Sequence, residues 1–86
     1  MTENLLQEIK QTVIDGDYKS IGRKIRKLRR KNIEEQEIVQ ALSEGLMDIS
    51  EKYKTEGMYL DNIVKAAATF ELGTASLRLS DKSQEP

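Results

Sequence analysis

Three residues suited to left-handed backbone, Gly16, Asn32 and Gly57, divide this chain into four stretches. Within each stretch apolar residues recur three or four positions apart, the period of a helix with one buried face. No stretch alternates apolar and polar residues as a half-buried strand would. The expected fold is therefore all-α, an antiparallel four-helix bundle with short connections. Its helices fall near 3–15, 18–31, 35–54 and 60–80, with Asp17 as N-cap of the second.

The first stretch carries Leu5, Leu6, Ile9, Val13 and Ile14, and the second Tyr18, Ile21, Ile25 and Leu28. Ile33 follows Asn32, where an apolar residue can seal a left-handed helix end. In the third stretch Ile38, Leu42, Leu46, Ile49 and Tyr53 form one stripe, with Ala41 and Gly45 beside them to admit a close neighbour. Glu34, Glu35 and Glu37 gather at its start, where the helix dipole favours carboxylates. The fourth is apolar on two faces, Leu60, Val64, Ala68, Leu72, Ala75 and Leu79 on one, Ile63, Ala67, Phe70 and Leu77 on the other. Such breadth suggests a helix in contact with several others. The hairpin joining stretches three and four places Tyr53 and Leu60 on either side of Thr55, Glu56 and Gly57. Spacing alone makes that pair ordinary packing.

Eighty-six residues allow one small domain. The chain has neither histidine nor cysteine. Imidazole acid–base chemistry, thiolate nucleophiles and histidine or cysteine metal ligands are therefore not among its resources. No apolar run reaches the roughly 20 residues that span a bilayer, and no basic start precedes an apolar one, so a cytoplasmic protein without membrane contact is expected. Net charge is only −1, yet eight of the fourteen basic residues lie between Lys19 and Lys31. That run reads as a solvated helix face. Interleaved aromatics for base stacking are missing, and Gly22 has no helix-turn-helix context. Glu44, Asp48 and Glu51 are spaced along the third helix outside its apolar stripe, without the histidines of a di-iron bundle, and no metal site is assigned.

In order, the motifs are Val13-Ile14-Asp15-Gly16-Asp17; Asn32 at a helix end; Ile38-Val39-Gln40-Ala41-Leu42-Ser43-Glu44-Gly45-Leu46; Lys52-Tyr53-Lys54-Thr55-Glu56-Gly57; and Met58-Tyr59-Leu60-Asp61-Asn62-Ile63-Val64-Lys65-Ala66-Ala67. Together they resemble the helical domain that precedes the cobalamin-binding domain in cobalamin-dependent methionine synthase and in the corrinoid proteins of methanol and methylamine methyltransferase systems. The resemblance covers nearly the whole chain. It implies a cap over the upper face of the corrin ring, one that shields methylcobalamin and moves aside during methyl transfer. Tyr53 and Leu60 would then lie against the cofactor's methyl face, with Ile63 in a neighbouring contact position.

Several positions depart from the family pattern. Asn32 stands where glycine is usual, Asp61 where proline is common, and Tyr53 where phenylalanine is usual. The family's cofactor domain, with its Asp-x-His-x-x-Gly signature and lower axial histidine, has no counterpart here. The chain is thus expected to be an accessory domain, not an enzyme by itself. Residues 1–80 would form the cap and 81–86 the start of a linker, whether excised from a longer protein or working as a stand-alone relative. Its implied partners are a cobalamin-binding domain and methyltransferase subunits. The alternative is a small regulatory or adaptor bundle whose basic second helix binds nucleic acid or an acidic partner. Cobalamin-dependent light-sensing regulators, which join a similar cap to a DNA-binding module, keep a sensor role open.

Overall fold

A computed structural model describes residues 2–57 and 60–82, with side chains for 4–57 and 60–78. Four helices account for nearly all of it: α1 (Thr2–Asp15), α2 (Ile21–Arg30), α3 (Glu35–Glu56) and α4 (Leu60–Lys82). No strand occurs among the described residues. The all-α bundle expected from the apolar spacing is the observed fold. Of the linker expected over 81–86, Asp81 and Lys82 belong to α4, and Ser83–Pro86, like Met58 and the Leu79 side chain, lie outside the described part.

Each stop signal works through specific hydrogen bonds. At the end of α1, Gly16 takes φ +70°, its N–H reaches the Val13 carbonyl at 3.0 Å, and the Asp17 N–H reaches that of Thr12 at 3.1 Å. This is the paired Schellman arrangement that satisfies carbonyls left over at a helix end. Asn32, at φ +63°, repeats it after α2: its N–H bonds to Arg29 and that of Ile33 to Leu28, at 3.0 and 3.2 Å. Ile33 is then buried in the same cluster as Leu28, the apolar contact that seals the motif.

The second helix starts later than its sequence suggests. Residues 17–20 form a turn, and the Asp17 carboxylate accepts the Ser20 hydroxyl at 2.7 Å in place of capping the helix. Ser20 occupies the N-cap position, and α2 begins at Ile21. The left-handed exit at Gly16 must be redirected before the chain can return along α1, and that consumes Tyr18 and Lys19. α3 and α4 each run two residues past their expected ends, to Glu56 and Lys82.

Ile9, Val13, Ile21, Ile25, Leu28, Ile38, Leu42 and Ile49 are fully buried and form the core with Ala66 and Leu77. Burying an aliphatic side chain of this size contributes about 1.5–3 kcal/mol. At 10 residues α2 is too short to persist alone, so its three buried residues hold it in place. α1 and α3 run side by side in the same direction, tied by Lys10 Nζ to Asp48 Oδ2 at 3.1 Å. α4 packs on each of the other three helices, as its apolar breadth suggested.

The buried face of α4 is neither of the two read from the sequence: Ala66, Thr69, Gly73 and Leu77 point into the core, Ile63, Ala67 and Phe70 are half-buried beside it, and Leu60, Val64, Leu72 and Ala75 are exposed. Buried hydroxyls are satisfied locally: Thr12 donates to the Glu8 carbonyl at 2.7 Å and Thr69 to that of Lys65 at 2.8 Å. No buried side-chain nitrogen or oxygen lacks a partner among the described residues.

Candidate functional site

The α3–α4 hairpin extends beyond the packed body. Ile49 is the last buried residue of α3 and Ala66 the first of α4, and every residue from Glu51 to Gly57 is exposed. The tip is stiffened by its own hydrogen bonds. Gly57 at φ +67° donates its N–H to the Tyr53 carbonyl at 3.2 Å, closing α3, and Thr55 Oγ1 donates to the Glu51 carbonyl at 3.0 Å. On the other strand of the hairpin, Asp61 sits in the first turn of α4 and pairs with Lys65 across 3.3 Å. A carboxylate at that end complements the helix dipole, so the helix begins there without a proline.

Tyr53 is 42% exposed and Leu60 64%, so the pair that spacing makes ordinary packing is not core. Ile63 differs from both, being half-buried and packed against the core cluster. Val64 is 57% exposed and continues the apolar surface one turn from Leu60. Sequence reasoning placed Val64 on an inward stripe. Leu60, Val64 and Leu72 lie on the side of the helix opposite Ala66, Gly73 and Leu77.

The candidate acids of α3 are occupied along the helix surface, Asp48 by Lys10 and Glu44 by the Gln40 amide at 3.1 Å. Among the described residues no cluster of three or more acids gathers as a metal-binding group, and no helix is long and apolar enough to cross a membrane. Without histidine or cysteine the chain offers a bound corrin no imidazole or thiolate for cobalt. What it does offer is a partly uncovered end on which Tyr53, Leu60 and Val64 stand exposed among charged side chains. That donor set fits a group held from its face by contact alone, and does not fit axial ligation.

The chain is a four-helix domain whose α3–α4 hairpin leaves Tyr53, Leu60 and Val64 exposed. The chain belongs to the B12 binding domain family, the helical cap domain of cobalamin-binding proteins, whose family model matches residues 5–78. No curated protein and no solved structure matches the chain.

Proposed function

We propose that this chain is the cap of a corrinoid methyl-carrier protein, seated with its hairpin tip over the upper face of a corrin held by a separate domain. The observation that carries the reading is the exposure of Tyr53 and Leu60 on a tip that the protein's own core leaves uncovered. The cofactor supplies the methyl-transfer chemistry. The chain's part is to exclude water: an aromatic ring, a leucine and the flank of Ile63 present a low-polarity surface at which a reactive group is kept from solvent. The Tyr53 hydroxyl is expected to turn to solvent at the edge of that surface. Residues 1–80 serve as the cap, residues 81–86 begin a connection to the cofactor domain, and methyltransferase subunits in the cytoplasm gain access when the cap moves aside. Its membership of a cobalamin-associated cap family supports this division of labour.

The test mixes this chain with a methylcobalamin-loaded cofactor domain and follows photolysis of the cofactor by absorbance. Wild type should slow photolysis, and Tyr53→Ala with Leu60→Ala should lose that protection. Equal protection by both would remove the tip from the reading. A second use, as an adaptor docking a partner through α2, draws on the exposed basic residues of that helix and is compatible with the first.

A further inference from the structure

Away from the tip, a groove of about 400 Å³ runs between α2 and α4. Its apolar lining includes Tyr18, 42% exposed, Leu72, 45% exposed, and Ala75. Lys19, Arg23 and Arg26 form its rim, all exposed, and no acidic residue lines it among the described residues. Arg23, Arg26 and Arg30 follow one another along α2 at intervals of three and four, opposite the buried stripe of Ile21, Ile25 and Leu28, and Lys19 precedes them in the turn before the helix. Among the described residues no ion pair joins them to a carboxylate of the chain. Lys24, by contrast, turns to α1, where it donates to Thr12 at 3.0 Å and stands 3.8 Å from Glu8.

We infer that this groove docks an acidic amphipathic segment of a partner polypeptide, its apolar residues seated on Tyr18, Leu72 and Ala75 and its carboxylates set against Lys19, Arg23 and Arg26. The charge is complementary to such a segment and repels a basic one. The apolar floor chooses between acidic partners. A sugar–phosphate backbone would match the rim but leave Leu72 and Ala75 without a counterpart, whereas a helix laid in the groove satisfies both. A second copy of the chain is the weaker match. Its own acidic groove, around Leu6, Glu37 and Glu44, lies between α1 and α3, and joining unlike patches does not close a dimer. Leu72 is twelve residues beyond Leu60, roughly 18 Å along the helix axis at 1.5 Å per residue. A partner held there leaves the tip free.

The experiment measures fluorescence anisotropy of a labelled helical peptide that carries two leucines on one face, flanked by glutamates. Polyglutamate and a duplex DNA oligonucleotide serve as competing probes, and light scattering reports the mass of the chain. Circular dichroism confirms that Arg23→Glu with Arg26→Glu, and separately Leu72→Glu, remain folded, as exposed positions should. The expected result is saturable peptide binding that weakens about tenfold or more in each variant and with added salt, with polyglutamate a poor competitor. Absence of saturable binding overturns the inference. So does equal competition by polyglutamate with no effect of Leu72→Glu, since the floor would then contribute nothing. DNA that binds more tightly than the peptide without regard to Leu72 makes α2 a phosphate-binding face instead. A dimer that dissociates in the Arg23→Glu, Arg26→Glu variant gives the groove to a second copy.

Discussion

Gly45 and Gly22 both sit in helices, and replacing each by alanine should move stability in opposite directions. A β-carbon at Gly45 would stand 2.7 Å from the Lys10 carbonyl oxygen and 2.8 Å from Val13 Cβ. Neither obstacle can rotate away, so α1 and α3 must separate, and overpacking of this kind costs about 1–3 kcal/mol. Against it stands the gain of about 1 kcal/mol from removing a mid-helix glycine. With both close contacts on rigid atoms the upper part of that range applies, leaving a net loss of about 1–2 kcal/mol. In a domain of this size that lowers Tm by about 5–15 °C. At Gly22 the nearest atom is the Ser76 hydroxyl at 3.0 Å, the end of a side chain that can turn aside. There a propensity gain stands, smaller in the first turn of α2 than in a helix interior, and Gly22→Ala should raise Tm by up to about 4 °C. Thermal unfolding followed by far-UV circular dichroism, with urea titration to check that m is unchanged, reads both. A Gly45→Ala protein as stable as wild type would refute the close α1–α3 contact, and with it the body from which the hairpin projects.

Tyr53→Ala and Leu60→Ala should each change the unfolding free energy by under about 0.5 kcal/mol, as exposed positions do, while Ile49→Ala on the same helix costs about 2–5 kcal/mol. A loss above 2 kcal/mol in urea for either tip variant would return that residue to the core. Asn32→Gly should hold or slightly raise Tm and Asn32→Ala should lower it, because a left-handed residue with a β-carbon costs about 1–2 kcal/mol. Equal Tm for the two would argue against the left-handed turn after α2. Breaking the half-buried Lys10–Asp48 pair by Asp48→Ala should cost no more than about 1 kcal/mol in chemical denaturation, since solvent still reaches and screens it.

Most of the fold was legible because its signals are local. Gly16, Asn32 and Gly57 stop helices through backbone geometry that depends on a few neighbouring residues, and apolar spacing of three and four is a property of the helix itself. The late start of α2 was less legible. It depends on Ser20 claiming the Asp17 carboxylate, a competition between two side chains that composition does not rank.

The sequence by itself determined the number of helices and, to within two residues, where each one stops, and, through the order of its motifs, the family to which the chain belongs. Having no histidine, the chain has no imidazole to offer a metal. Only the tertiary structure decided which apolar residues are core. Leu60, Val64 and Leu72 read like Ile21 or Ile25 in one dimension, because periodicity records that a residue is apolar on a face and not whether another helix covers that face. α4 has three neighbours, all on the side of Ala66, Gly73 and Leu77, and its opposite side is left open. The exposed tip and the α2–α4 groove both follow from that asymmetry of packing.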